Sequence, residues 1–152
     1  MNMGTRLSVV LCSLLWAALA QGVSPDELLE PEKAFRISAR ALDGRTAEVR
    51  FEIADGYYMY RNRFKFATEA GRVLADVELP RGERKRDEFF GETETYRQQV
   101  TIRVPLAAEE TAAGRVRLKV TSQGCADKGV CYAPLDQFVT VRLGAELPAR
   151  TR

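Results

Sequence analysis

Apolar and polar residues alternate along most of the chain beyond residue 34, which is the pattern of β-strands with one buried face. The alternating apolar positions form six groups: Phe35, Ile37 and Ala39; Ala47, Val49, Phe51 and Ile53; Val73, Ala75, Val77 and Leu79; Val100, Ile102 and Val104; Val116, Leu118 and Val120; and Val139, Val141 and Leu143. Turn signals such as Asp43-Gly44 and Asp55-Gly56 separate the groups. About seven short strands with a turn roughly every ten residues predict an all-β fold, an antiparallel β-sandwich.

Helix is predicted only in two short segments. Residues 25–29 have some helical character, and the segment 107–114, AAEETAAG, could hold at most one helical turn. Neither segment is long enough to form an amphipathic helix of ordinary length, so the chain is expected to lack a long helix.

Both ends of the chain are predicted to lie outside the sandwich. The first residues contain Arg6, a short apolar run and the small-residue pattern Ala18-Leu19-Ala20, which together are typical of a secretory signal peptide cleaved after Ala20. A membrane anchor is the weaker interpretation, because the apolar run is short for a bilayer. The expected divisions of the chain are a signal peptide at 1–20, an N-terminal arm at 21–33, the folded domain at 34–145 and a tail at 146–152.

Composition and charge exclude several classes of function. The chain has 23 basic and 21 acidic residues, and removal of the signal peptide takes away one arginine, so the remaining charge is close to neutral. This balance gives no electrostatic case for binding nucleic acid or a membrane surface. The sequence contains no histidine, which excludes Ser-His-Asp and Cys-His catalytic sites and histidine-ligated metals.

Two cysteines remain after removal of Cys12 with the signal peptide, and both lie in the segment 122–134, SQGCADKGVCYAP. An exported chain can pair Cys125 with Cys131, and the strands on either side of them would bring the two residues together at the mouth of a hairpin. A structural disulfide is one interpretation, although so short a ring removes little chain entropy. A metal site would lack half of its ligands, and a redox site would have unusual spacing. The spacing alone does not decide between them.

Two further segments are unusual for a plain sandwich. Residues 55–66, DGYYMYRNRFKF, place three tyrosines within four positions, and residues 81–96, RGERKRDEFFGETETY, end a charged run in two phenylalanines and a glycine. A charged run is usually a solvated loop, and strand aromatics are usually core residues. Adjacent aromatic residues at a loop tip reduce solubility unless they cover something, so this loop is a candidate cover for a site.

Four ordered sequence blocks, DGYYMYR, ADVELP, DEFFGETETYR and QGCADKGVCYAP, resemble the family of amino-terminal periplasmic domains of the thiol:disulfide interchange protein DsbD. The resemblance extends from about residue 30 to residue 143. It implies an immunoglobulin-like antiparallel β-sandwich in the periplasm, with one redox-active disulfide between Cys125 and Cys131. The implied activity is that of a thiol-disulfide oxidoreductase, a protein-disulfide reductase that uses no cofactor and no metal.

The resemblance also implies partners. Reducing equivalents would come from a thioredoxin-like donor domain, which is supplied through a membrane electron-transfer domain. They would pass to periplasmic disulfide isomerases and to the thioredoxin of cytochrome c maturation. Members of the family usually continue into membrane spans and a thioredoxin-like domain, whereas this sequence stops at Arg152. The chain is therefore expected to be either a fragment of a longer protein or a version that works with separate partner chains.

The resemblance assigns roles within the site. Cys131 is expected to face the partner, and Cys125 is expected to resolve the mixed disulfide. The residues expected to surround the disulfide are the cap loop and two floor tyrosines: Asp87, Glu88, Phe89, Phe90, Gly91, Tyr58 and Tyr60. Phe89 would act as the lid, Phe90 and Gly91 would shape and hinge the loop, and the two acidic residues would disfavour the thiolate.

The main rival hypothesis is a secreted β-sandwich that binds other molecules and contains a purely structural disulfide. A reduction potential below roughly −300 mV would indicate such a structural pair.

Overall fold

The computed structural model describes residues 28–143, so the predicted signal peptide, residues 21–27 of the arm and the tail lie outside the described residues. Strands dominate this part of the chain, as the alternation predicts. The elements in chain order are α1 (Pro31–Ala34), β1 (Phe35–Ala41), β2 (Thr46–Ile53), β3 (Tyr57–Tyr60), a 3-10 turn (Arg61–Arg63), β4 (Lys65–Thr68), β5 (Glu83–Asp87), β6 (Gly91–Tyr96), β7 (Gln99–Pro105), α2 (Ala108–Thr111), β8 (Arg115–Ser122), β9 (Gly124–Ala126), β10 (Val130–Cys131) and β11 (Leu135–Arg142).

The strands of residues 28–143 form three sheets with the orders β1-β2-β7, β11-β8-β4 and β10-β9-β3-β6-β5. All strand pairs are antiparallel. Alternate residues of β2, β7 and β8 lie in one buried core, for example Val49, Ile102 and Leu118, all fully buried. Burial of this apolar surface is the main stabilising contribution to the fold. The structure confirms the predicted all-β, immunoglobulin-like antiparallel β-sandwich.

Strand β3 lies in the middle of the five-stranded sheet and has both faces buried. Tyr57 and Met59 belong to the main core, whereas Tyr58 and Tyr60 belong to a second cluster that contains Cys125. Because all four residues are buried, β3 shows no alternation of apolar and polar residues. It connects the hydrophobic core to the cysteine pair.

The strand predicted at Val73, Ala75, Val77 and Leu79 is wrong. Only a single bridge, between Ala67 and Val73, is formed in this segment. Val73 is 71% exposed, and the side chain that packs against the core beside it is Leu74. The partly buried apolar residues of the segment are Leu74, Val77 and Leu79, which are spaced by three and then by two, so the predicted alternation does not hold throughout.

The charged segment 81–96 is a hairpin rather than an extended loop. Strand β5 pairs with β6 from Glu83↔Thr95 to Asp87↔Gly91, and a turn of three residues connects them. The prediction of at most one helical turn within 107–114 is confirmed by α2. Helix α1 covers the end of the predicted arm and the first residue of the predicted folded domain, close to the segment 25–29 where helical character was expected.

Among residues 28–143, no helix is both long enough and apolar enough to cross a membrane. The same residues contain no group of three or more side chains arranged to hold a metal ion.

Candidate functional site

The cysteine pair lies in a short hairpin made by β9 and β10. Cys125 and Cys131 are register partners, and a disulfide joins them with 4.0 Å between their Cα atoms. Gly129 adopts a φ of 82° in the connecting turn, a conformation that glycine reaches without strain. The predicted pairing of the flanking strands is confirmed, because β8 pairs with β11. The cysteines, however, lie in their own hairpin, which belongs to the sheet of β3 rather than to that of β8.

The two sulfur-bearing residues differ in burial. Cys125 is fully buried, because β9 lies between β3 and β10 in the sheet. Cys131 lies on β10, the edge strand, and is only partly buried, and its neighbour Val130 is 41% exposed. A partner approaching from solvent therefore reaches Cys131 before Cys125.

The predicted floor tyrosines lie directly beneath the disulfide. Tyr58 is the register partner of Cys125. The Tyr60 hydroxyl lies 3.3 Å from Cys125 Sγ, 3.8 Å from Cys131 Sγ and 3.4 Å from the Tyr58 hydroxyl. Burial raises the pKa of Tyr60, and its hydrogen bond to Asp87 raises it further, so the hydroxyl stays protonated at physiological pH.

Asp87 connects this floor to the cap loop (residues 87–91). Its Oδ2 accepts a hydrogen bond from the Tyr60 hydroxyl. Its Oδ1 accepts from the backbone N–H groups of Phe89 and Phe90, at 3.0 and 2.8 Å. Partial burial raises the pKa of Asp87, but these hydrogen bonds and the nearby Lys85 outweigh it and hold the pKa below its ordinary value. Asp87 is therefore an anion that fixes the shape of the cap loop.

The two phenylalanines of the cap loop occupy different environments. Phe90 packs edge-on against Tyr60, with ring centroids 4.7 Å apart, and contacts the cluster that contains the disulfide. Phe89 lies in the same turn and is 45% exposed. Gly91 follows the turn with a φ of 71°, a conformation that glycine reaches without strain. The Glu88 carboxylate approaches the β9–β10 turn, since a Cβ built on Gly129 would lie 3.8 Å from its Oε1.

Sequence reasoning missed the cations that surround the floor. Lys85 Nζ lies 3.4 Å from the centroid of the Tyr58 ring, and the Arg97 guanidinium lies 5.1 Å from it. Arg97 also forms two hydrogen bonds to Asp127, at 2.7 and 2.9 Å. Such cation–π contacts hold the ring in place. Lys85 and Asp87 share one face of β5, a relation that becomes visible only once the charged run is identified as a strand.

An aromatic cluster supports the hairpin from behind. Tyr132, which follows Cys131, stacks on Tyr57 with 6.2 Å between ring centroids, and Phe35 contacts both rings edge-on. The Tyr132 hydroxyl donates to the carbonyl oxygen of Leu29 at 2.6 Å, and the backbone N–H of Leu29 donates to the Tyr57 hydroxyl at 2.8 Å. Burial raises the pKa of Tyr132 to about 12.

The packing at Gly124 leaves no room for a side chain. A Cβ at this position would lie 2.4 Å from the Phe35 ring and 2.5 Å from the carbonyl oxygen of Tyr58. The absence of a Cβ therefore allows β9 to pack closely against the core at the residue before Cys125.

The chemistry available here is that of a disulfide with a buried and a reachable sulfur. The Tyr60 hydroxyl bridges the sulfurs to the Asp87 carboxylate, and within residues 28–143 no helix N-terminus lies under the sulfurs to stabilise a thiolate. A negative charge this close disfavours a second one on sulfur. After reduction, the pair is therefore expected to remain largely in the thiol form.

The sequence and the structure are both similar to those of known proteins. A model of the family described as "Thiol:disulfide interchange protein DsbD, N-terminal" matches residues 25–143. The thiol:disulfide interchange protein DsbD of Ralstonia nicotianae is 46% identical over 146 residues, which cover 95% of this chain and 23% of the relative. The chain spans about a quarter or less of the length of the curated relatives it matches.

Two solved structures from Neisseria meningitidis are also similar. The reduced DsbD N-terminal domain is 38% identical with a TM-score of 0.65, and the match covers 76% of this chain and 90% of that one. The complex between the DsbD N-terminal and PilB N-terminal domains matches with a TM-score of 0.60 and 38% identity, covering 74% of this chain and 86% of that one.

Proposed function

Because the chain belongs to the family of N-terminal domains of the thiol:disulfide interchange protein DsbD, we propose that it carries reducing equivalents through its Cys125–Cys131 pair. The observation that carries this proposal is the burial of the two residues. Cys125 is fully buried beside a tyrosine hydroxyl, whereas Cys131 is only partly buried and lies on an edge strand. Exchange through a mixed disulfide needs one reachable sulfur and one that is held close behind it.

Loading of the domain proceeds in two exchanges. A thiolate of a reduced donor attacks Cys131 Sγ, the Cys125–Cys131 bond breaks, and Cys125 leaves as a thiolate that takes up a proton. The second thiolate of the donor then attacks the donor sulfur that is bonded to Cys131. This forms the donor disulfide and releases Cys131, which is also protonated. The donor ends as a disulfide, and the domain gains two electrons and two protons.

Delivery reverses these steps. The Cys131 thiolate attacks the disulfide of an oxidised client, and one client sulfur leaves as a thiolate. Cys125 then attacks Cys131 in the mixed disulfide, which re-forms the Cys125–Cys131 bond and releases the second client thiolate. The short distance between register partners makes this resolution intramolecular, and therefore fast.

Tyr60 and Asp87 protect the reduced domain between encounters. The Tyr60 hydroxyl lies 3.3 Å from Cys125 Sγ and donates to the Asp87 carboxylate, so after reduction the Cys125 thiol would donate to the Tyr60 hydroxyl oxygen. This arrangement favours the protonated thiol over the thiolate, and only the thiolate reacts rapidly. Stray oxidants would consequently react slowly.

The cap loop gates access to Cys131. Phe89 serves as the lid and Gly91 as its hinge, while Phe90 anchors the loop on the Tyr60 ring. Lifting of the loop by a docking protein would expose the sulfur only within a complex. The hydrogen bonds from the loop to Asp87 are the contacts that opening would break.

The proposed partners are those of the family. A thioredoxin-like domain connected to a membrane electron-transfer domain is the donor, and periplasmic disulfide isomerases and the thioredoxin of cytochrome c maturation are the clients. The meningococcal relative forms a complex with the PilB N-terminal domain, which supports docking on another protein's domain. Export with cleavage after Ala20 would place the chain in the periplasm.

Trapping of a mixed disulfide tests the proposal. The Cys125→Ala variant lacks the resolving thiol and should accumulate a covalent complex with an oxidised isomerase-type protein on a non-reducing gel. The matched Cys131→Ala variant should form none, because its remaining sulfur is buried. An adduct formed by Cys125 alone would reverse the roles. A pair with a reduction potential below roughly −300 mV, which resists reduction, would indicate a structural disulfide instead.

A further inference from the structure

The solvent-exposed face of the sheet β11-β8-β4, here called the basic face, has an uneven charge. Every second residue of these strands points to this face, and the residues between them point into the core. Its basic residues are Lys65, Arg115, Arg117, Lys119 and Arg142, and its acidic residues are Asp136 on β11 and Glu69 just beyond β4. Five cations therefore share one face with two anions.

The acids on this face are already engaged. Arg117 pairs with Glu69 at 2.8 Å, and Lys119 pairs with Asp136 at 3.1 Å. Arg115 has no ion pair within residues 28–143, and it lies directly opposite Arg142 in the β8–β11 register. Like charges directly opposite each other on a sheet are destabilising. The face is therefore suited to anions supplied from outside the domain.

The opposite sheet also carries more basic than acidic residues on its outward face, but most of them are paired there: Arg50 lies 3.7 Å from Glu52, and only Arg103 has no ion pair within residues 28–143. On the outward face of β1 and β2, Arg36 pairs with Glu52 at 2.8 Å and Arg40 pairs with Glu48 at 2.7 Å. The basic face therefore differs from the opposite sheet by its two facing arginines and by the exposed apolar residues beside its cations, since none of the large exposed apolar residues of residues 28–143 lies on β1, β2 or β7.

Apolar side chains lie among these cations. Phe138, the register partner of Lys119, is 44% exposed and has the Arg117 guanidinium 4.9 Å from its ring centroid. A groove of about 720 Å³ opens beside it, and its lining includes Lys65, Lys119 and the 71%-exposed Val73. Exposed apolar residues framed by lysine and arginine are typical of surfaces that lie in the interface of a membrane.

A second concavity lies beside Arg115 and Arg117. It has a volume of about 420 Å³ and is lined by Glu69, Arg115, Arg117 and Thr140. Two of these groups are guanidinium donors, which match the geometry of phosphate oxygens. A phosphate-bearing surface would thus find donors beside an apolar groove.

We propose that the basic face docks on the surface of an anionic phospholipid bilayer. Lys65, Arg115 and Arg142 contact lipid phosphates, while Phe138 and Val73 enter the headgroup region. This inference goes beyond the proposed redox function and does not depend on it. An acidic protein is the alternative occupant of these residues, and in that case the vesicle partition coefficients would not depend on Arg115, Arg142 or Phe138.

Vesicle binding of the processed protein tests the inference. The partition coefficient would be measured by co-sedimentation with vesicles of phosphatidylglycerol and phosphatidylcholine, and with vesicles of phosphatidylcholine alone. The Arg115→Gln/Arg142→Gln variant should bind the anionic vesicles about 25-fold more weakly, at about fivefold for each cation removed. The Arg36→Gln/Arg40→Gln control loses the same charge from the opposite sheet and should change by less than about twofold. Phe138→Ser should weaken the binding that remains at high salt.

Several results would overturn the inference. One is equal binding to both kinds of vesicle, and another is the same loss in both double variants. A third is a change in self-association of the Arg115→Gln/Arg142→Gln protein, seen by analytical ultracentrifugation, without any change in vesicle binding; the face would then be an interface between copies. The rate of disulfide reduction by dithiothreitol, measured in parallel, should not change, so failure here is distinguishable from failure of the redox proposal.

Discussion

Replacement of Asp87 by asparagine should make the reduced site more reactive. The carboxylate accepts the proton of the Tyr60 hydroxyl, whose oxygen lies 3.8 Å from Cys131 Sγ. Asparagine keeps an oxygen for the two backbone N–H groups of the cap loop but removes the negative charge. It also frees the Tyr60 proton to be donated to sulfur. Both changes stabilise the Cys131 thiolate.

The magnitude follows from the separation of the charges. One hydrogen bond and the 3.8 Å contact between Tyr60 and Cys131 Sγ place the carboxylate at most about 6 Å from the sulfur. Two unit charges at this distance repel by about 3 kcal/mol at an effective dielectric constant of about 20, which corresponds to roughly two pKa units. Asp87 is only partly buried, and solvent screening reduces the effect. We expect the pKa of the Cys131 thiol to fall by about 1–2 units.

The assay is alkylation of the reduced protein by iodoacetamide as a function of pH. A Cys125→Ala background leaves Cys131 as the reacting thiol of the processed chain. For each unit by which the pKa falls, the fraction of thiolate at pH 7 rises about tenfold, and the lower nucleophilicity of the less basic thiolate offsets part of this gain. The alkylation rate at pH 7 should therefore increase by about three- to twelvefold. Glu109→Gln is the control, because it removes an exposed carboxylate from α2, which precedes β8 at the end of that strand away from the cysteines. It should not change the pH dependence of the alkylation rate. An unchanged or higher pKa in Asp87→Asn would refute the proposed role of the carboxylate.

Three further predictions concern the hairpin and its surroundings. The Cys125→Ser/Cys131→Ser protein should remain a cooperative β-protein with a melting temperature within about ten degrees of the oxidised form, because a short ring contributes little loop entropy; loss of its circular dichroism signal at room temperature would contradict this. Phe89→Ala should be reduced by dithiothreitol several-fold faster at an unchanged reduction potential, and equal rates would show that Phe89 is no lid. The hydrogen bonds from Arg97 lower the pKa of Asp127, so the pair stabilises the fold above the ordinary aspartate pKa of 3.8 and loses this contribution as the pH falls through the lower folded-state value. Urea unfolding at pH 6 and pH 3 measures how far the free energy of unfolding falls between these pH values. This fall should be smaller for Asp127→Asn than for the original protein, and because the ion pair is exposed the difference should be at most about 1 kcal/mol.

The fold could be predicted wherever a strand has one face in the core and one in water. Strands β2, β7 and β8 are of this kind, and their alternation alone identifies them. Strand β3 could not be found in this way, because Tyr58 and Tyr60 are buried against the disulfide while Tyr57 and Met59 are buried in the core. Strand β5 was hidden for the opposite reason, since none of its residues is fully buried.

The site was predictable as a set of residues and not as a network. Four sequence blocks were enough to bring Cys125, Cys131 and the cap loop into one hypothesis. The hydrogen bond from the Tyr60 hydroxyl to Asp87 can form only because β5 pairs with β6, and β6 with β3, in the observed registers. Registers of short strands follow from pairing and turn geometry rather than from local sequence. The same limitation concealed Lys85, whose contact with the tyrosine ring depends on the same pairing.

The close packing at Gly124 limits how the redox hairpin could be transplanted. Any side chain at this position would meet the Phe35 ring and the backbone of β3. A protein engineer who grafts residues 124–132 onto another β-sandwich must therefore bring more than the cysteines. The recipient needs an unobstructed strand beside the graft and an aromatic residue at the same depth, or the hairpin will sit too far from the sheet. In a saturation library, position 124 should tolerate almost no replacement.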